Sequence, residues 1–79
     1  MLSRRFAWNL DWNLLRTFMV IAEKQGITAA ANVLGLKQPT VSAALQRVEA
    51  SLGAKLVARG PRQFELTTAG RQLYEEATV

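Results

Sequence analysis

The stretch ITAAANVLGLKQPTVSAALQRVEASLG, residues 27–53, holds two helical patterns with only a glycine-centred turn between them. The first pattern is short and closes at Leu34. Gly35 follows, suited to the positive φ that ends many helices. The second starts around Gln38 and Pro39, where the missing N–H of a proline costs no internal bond. Val41, Leu45, Val48 and Leu52 then recur at i, i+4, i+7 and i+11, and Gly53 is the stop. Two helices joined so tightly cross steeply and come close together. The residue at the crossing must be small, and Ala31, four before Gly35, meets that need. Ala30 and Leu34 complete the buried side of the short helix. Leu36 is expected to plug the corner, with Val41 and Ala44 facing back into the core. This is the packing pattern of a helix-turn-helix, and also that of an ordinary αα-corner in a small helical bundle.

The outward face of the second helix favours the former. Its exposed positions are Gln38, Thr40, Ser42, Ala43, Gln46 and Arg47. Short and amide-bearing side chains dominate, in place of the Glu/Lys mixture of a merely solvated helix. Glutamine can pair bidentately with adenine through N6 and N7, and serine can bond to several base edges. A helix entering a major groove by its N-terminal end presents these residues first. Taken singly, Gln38 also fits a solvated first-turn residue, and Ser42 a mid-helix hydroxyl bonded to the preceding turn.

The flanking segments complete the fold class. A first helix should begin near Asp11, a good N-cap, with Leu15, Phe18, Met19 and Ala22 at i, i+3, i+4 and i+7. Leu14 and Ile21 widen that stripe. It should end before Gly26 in a left-handed conformation, with Thr28 capping the next helix. After Gly53 the period changes. KLVAR and QFELT read as two short strands joined at Gly60, Pro61 and Arg62. Phe64 and Leu66 share one face of the second strand. Thr67 or Thr68 caps a last helix, whose apolar line is Ala69, Leu73 and Ala77 with Tyr74 nearby. The fold expected is mainly α: three helices, a two-stranded hairpin and a further helix. Arg59 and Arg62 stand at the hairpin tip, where they reach a phosphate backbone or a minor groove, or serve solubility.

Charge points the same way. The chain carries +4 overall, with +4 concentrated in residues 37–62 and −2 in residues 63–79. Clustered basic residues suggest a polyanion partner, a solvated basic face being the alternative. Lys37 and Lys55 are further phosphate candidates. The 79 residues contain no cysteine and no histidine, which removes disulfides, thiol chemistry and the usual zinc ligands. The acidic residues form no paired constellation in the expected fold, Glu49 being better suited to a structural role. GLKQP lacks the spacing of a phosphate-binding P-loop. An enzyme is not expected, nor a metal or cofactor. No apolar run approaches the roughly 18–20 residues of a membrane span.

The segments LRTF and AE, AAA before the turn, QPTVS at the start of the third helix, VEASLGAKL at its end, and LTTAG together resemble the N-terminal domain of LysR-type transcriptional regulators. The resemblance runs from about Leu10 to Ala77. It implies a winged helix-turn-helix in residues 10–67, an extension in 1–9, and the start of a linker helix in 68–79. It implies a bacterial cytoplasmic regulator that binds double-stranded DNA sequence-specifically. It implies pairing with a second copy through the last helix, with Leu73, Tyr74 and Ala77 as the pairing positions, packing against the first helix being the alternative for them. An effector-binding domain, normal in the family, is expected to lie outside this chain. By position, Gln38, Pro39 and Ser42 match contact residues of the third helix, Thr28 a phosphate-holding helix start, and Arg59 and Arg62 wing arginines. Thr40, Gln46, Arg47 and Lys37 complete the expected DNA surface. The chain departs from the family pattern at Ala29, Lys37, Ala43 and Val57. Alanine in place of the family's arginine at 43 costs on the order of 1–3 kcal/mol where that residue reads a base, so weak binding by this fragment is expected. A winged helix whose main activity is dimerisation is the alternative function.

Overall fold

A computed structural model of the chain describes residues 12–59 and 64–77. The order is α1 (Trp12–Lys24), α2 (Ile27–Leu34), α3 (Gln38–Leu52), β1 (Val57–Arg59), β2 (Phe64–Leu66) and α4 (Thr68–Ala77). Asp11 and residues 1–9 lie outside the described residues, so the expected cap of α1 falls there. The strands form an antiparallel pair with Val57 opposite Leu66, Ala58 opposite Glu65 and Arg59 opposite Phe64. Helix α1 packs against both α2 and α3, and α4 returns to α1 and β2. The result is a winged helix-turn-helix.

The core lies where three helical stripes converge. Phe18, Ile21, Val41, Val48 and Leu56 are the largest fully buried side chains. Leu15, Leu45, Val57 and Leu73 surround them. Ala30 and Ala31 are buried where α2 meets α3, and their small size lets the two backbones approach. Leu34 packs at the core margin, and Ala44 is half-buried. Leu36 does not plug the corner. It is 44% exposed, because its N–H is drawn to the Ala31 carbonyl at 3.0 Å to close the helix end. That turn points the side chain outward.

Gly35 and Gly53 have φ of 69° and 70°, so both adopt the expected left-handed stop. Gly26 does not. Its φ of 171° is extended backbone, and it serves as the N-cap of α2. The left-handed residue is Gln25, φ 57°, with the Gly26 N–H reaching the Ile21 carbonyl at 3.3 Å. The expected capping role of Thr28 is corrected accordingly: Thr28 stands inside the first turn, and no side-chain cap bond forms there.

The wing is fastened at the backbone of one residue. The Leu56 N–H donates to Glu49 Oε2 at 2.9 Å. The Leu56 carbonyl accepts from the Thr67 N–H at 3.0 Å. Thr67, not Thr68, caps α4: its Oγ1 accepts from the Gly70 N–H at 3.1 Å and donates to the Lys55 carbonyl at 2.5 Å. Glu49 is thus a structural carboxylate of α3, 9% exposed. Gly70 is buried, and a Cβ there would collide with the Leu56 carbonyl oxygen.

Two stability outcomes follow from these backbone approaches. Gly70→Ala should destabilise by about 1–3 kcal/mol through overpacking, although alanine is the better helix former by about 1 kcal/mol. A rise in the thermal midpoint of that variant would refute the close approach. Gln25→Gly combined with Gly26→Ser should stabilise by about 1 kcal/mol, relieving a left-handed glutamine and adding a helix cap. Urea melts of the double variant against wild type read this directly, and an unchanged or lower midpoint counts against the assigned geometry.

Candidate nucleic-acid interface

Helix α3 divides sharply into two sides. Val41, Leu45 and Val48 are at most 4% exposed and hold the helix to α1 and α2. Gln38, Pro39, Thr40, Ala43, Gln46 and Arg47 are exposed on the other side, and Ser42 is half-buried at its edge. The i, i+4 geometry of a helix sets these into adjacent rows. One is Gln38, Ser42 and Gln46. The next is Pro39, Ala43 and Arg47. A helix with side chains is about 10–12 Å across, which fits the roughly 12 Å width of a B-DNA major groove.

The start of α3 is set by Lys37 and Pro39. Lys37 has extended φ and ψ of −82° and 149° and makes no side-chain cap bond. Its carbonyl instead receives the N–H groups of Thr40 and Val41 at 3.0 and 3.2 Å. The Lys37 ammonium is exposed beside a helix N-terminus that already favours anions. Thr28, in the first turn of α2, is likewise exposed. Among the described residues, neither Lys37 nor Arg47 is engaged in an ion pair.

Lys55 stands at the mouth of a cleft between the C-terminal half of α3 and β1, lined by Gln46, Glu49, Val57 and Thr67. Its side chain is 80% exposed, with Nζ 3.8 Å from Glu49 Oε1. An ion pair this exposed on one side contributes little to stability. Its effect is to hold the lysine near the strand that leads into the wing. Arg59 closes β1 in register with Phe64. Arg62 lies outside the described residues.

The last helix distributes its residues differently from expectation. Leu73 is 2% exposed within the chain's own core, which corrects its assignment to a pairing surface. Burial follows from its position one helical repeat beyond Gly70, on the side that meets Leu56. Tyr74 and Ala77 are half-buried and pack at the core margin. The hydrogen bonds that hold the site are less evident from sequence. Glu49 to Leu56 and Thr67 to Lys55 each join a side chain to a backbone atom, and no hydrophobic period marks a backbone partner. Among the described residues, no group of three or more His, Cys, Asp or Glu could hold a metal ion, and no helix is long and apolar enough to cross a membrane.

This arrangement has close counterparts. The chain superposes on a crystal structure of a complex of the BenM DBD with catB site 1 DNA at a TM-score of 0.83. Identity there is 35%, with 87% of this chain and 78% of that one covered. Full-length CbnR complexed with its target DNA gives a TM-score of 0.81 and 36% identity, covering 87% of this chain and 24% of that one. In sequence, the chain is 46% identical over 63 residues to a probable hydrogen peroxide-inducible genes activator of Mycobacterium xenopi, covering 80% of this chain and 33% of the relative. It is 42% identical over 67 residues to the SDS degradation transcriptional activation protein of a Pseudomonas strain, covering 85% and 22%. The chain therefore spans no more than a third of either relative. Residues 12–71 match the family profile of bacterial regulatory helix-turn-helix proteins of the lysR type, and the chain belongs to that family.

Proposed function

We propose that the chain binds double-stranded DNA sequence-specifically, as the N-terminal module of a bacterial transcription regulator acting in the cytoplasm. Helix α3 enters the major groove by its N-terminal end, with Gln38, Pro39, Thr40, Ser42 and Gln46 toward base edges. Lys37, Arg47 and the N-terminal turn of α2 at Thr28 meet phosphates. The wing, carrying Arg59 and Arg62, lies on the backbone or in the adjacent minor groove. Residues 10–67 are the binding unit, and residues 68–79 begin a linker helix through which two copies pair. Of the three residues named for pairing, Tyr74 and Ala77 are half-buried and keep some surface for a partner. A two-fold pair sets two half-sites about one helical turn apart, or a multiple of it. The activity is binding, not catalysis.

One observation carries this reading: the amide-and-hydroxyl side of α3 is solvent-accessible along its length, while the opposite side alone fixes the helix in the fold. The support from relatives is that DNA complexes of the BenM and CbnR proteins share this fold at TM-scores of 0.83 and 0.81.

The test begins with selection of bound duplexes from a random pool. On the enriched duplex, Gln38→Ala with Ser42→Ala should weaken specific binding by about ten- to a hundredfold, since a good bidentate base contact is worth about 1–3 kcal/mol. Binding to an unrelated duplex should change far less, and equal loss on both would remove α3 from the reading role. Lys37→Ala, Arg47→Ala, Arg59→Ala and Arg62→Ala should each lower affinity for every sequence. Each should also flatten the log–log salt dependence by about 0.9 per phosphate released. A variant whose slope equals wild type takes that residue off the backbone.

A further inference from the structure

The DNA-facing side of α3 is not uniformly polar. Beside the row Gln38, Ser42 and Gln46 runs the row Pro39, Ala43 and Arg47, whose first two members are exposed and apolar. Ala43 is the middle residue of that row. It is flanked by Ser42 on one side and leads to Gln46 and Arg47 one turn on. Its methyl group has no part in the core, whose α3 members are Val41, Leu45 and Val48. It offers neither donor nor acceptor, so it cannot satisfy a purine edge. Inside a groove a bare methyl among hydrogen-bonding side chains has one good partner: the C5-methyl of thymine, the only apolar group that a base pair presents there. The adjacent rows also match the two halves of an A·T pair. The glutamine row supplies the donor and acceptor for adenine N7 and N6, and the Pro39–Ala43 strip supplies the apolar surface for its thymine or for a thymine one step away.

We propose that Ala43, with Pro39 beside it, is a specificity-determining residue that reads the 5-methyl group of a thymine in the half-site. The proposal rests on α3 being the major-groove helix. It makes a claim that general binding does not: one thymine is recognised by its methyl group and not by its hydrogen-bonding edge.

Uracil differs from thymine only by that methyl. Starting from the duplex enriched by selection, each thymine is replaced singly by deoxyuridine, and the affinities of the 79-residue chain and of its Ala43→Gly variant are measured. Wild type should lose about fourfold at one position, the value of burying one methyl-sized group. Ala43→Gly should bind the thymine duplex more weakly and lose less than twofold on the same replacement. Ala43→Arg, which keeps good helix propensity, should on reselection prefer guanine at that position, because arginine pairs with O6 and N7. Failure to enrich any duplex would overturn the DNA-binding reading itself. Enrichment of a duplex in which no thymine is uracil-sensitive would overturn this proposal alone. So would a uracil penalty that Ala43→Gly leaves intact.

Discussion

The backbone of Leu56 determines whether the wing and α3 form one surface. Its N–H is held by the Glu49 carboxylate, and its carbonyl by the Thr67 N–H. Its side chain is fully buried, and the backbone of α4 at Gly70 rests against it. The last turn of α3, the first residue before β1 and the first turn of α4 thus meet at one point. A carboxylate near a helix C-terminus is unfavourable toward the macrodipole by a few tenths of a kcal/mol up to about 1. A charge-assisted hydrogen bond to a buried N–H contributes about 1.5–3 kcal/mol, which outweighs it. The bond from the Leu56 N–H to the Glu49 carboxylate offsets that cost. The same residue's carbonyl accepts the N–H groups of Gly53 and Ala54 at 2.8 and 3.2 Å. Side chain and main chain of one residue therefore end the helix and fasten the hairpin.

A hairpin of three-residue strands is too short to be stable alone. Among its described residues Val57 and Leu56 at its base are buried, while Phe64 and Leu66 are half-buried on the core side. Its position is therefore inherited from the Leu56 junction and not from strand pairing. The functional consequence is geometric. A wing fixed at its base and held to α3 sets where the backbone of Arg59 stands relative to Gln38, Ser42 and Gln46. Lys55, leaning on Glu49, stands at the base of the same wing.

What the sequence discloses and what it withholds divide along a physical line. The stripes Val41, Leu45, Val48 and Leu15, Phe18 are legible because burial imposes a period, and so are Gly35 and Gly53, because positive φ disfavours a side chain. The same rule misplaces Gly26: a left-handed stop is needed there, but Gln25 supplies it one residue earlier, and the glycine becomes an extended N-cap. Thr28 then stands past the cap position. A single-residue shift of this kind lies below what periodicity can resolve, since α1 ends in the same place either way. Leu36 misleads for a related reason. An apolar residue next to a turn suggests burial, yet the bond from its N–H to Ala31 dictates its direction first. Leu73 stands in the apolar line of α4, and the close approach of Gly70 to Leu56, three residues earlier, turns that side toward the chain's own core.

The division of α3 into a side that folds and a side that faces out has an evolutionary corollary in energetic terms. Replacing Ala43 or Gln46, both exposed, removes no packing in the core and no hydrogen bond that the fold uses, so such changes cost the fold a few tenths of a kcal/mol. Apart from Pro39, which sets the start of the helix, the outer rows are left free by the fold. The inner row is different: Val41, Leu45 and Val48 hold α3 against α1 and α2, and truncating any of them leaves a cavity in the core they share with Leu15, Phe18, Ile21 and Leu56. A small domain with one well-fixed helix can thus exchange its outer rows without re-solving its own folding. Ala43 is the plainest case, because a residue with no polar group and no role in the core is determined only by what approaches it from outside.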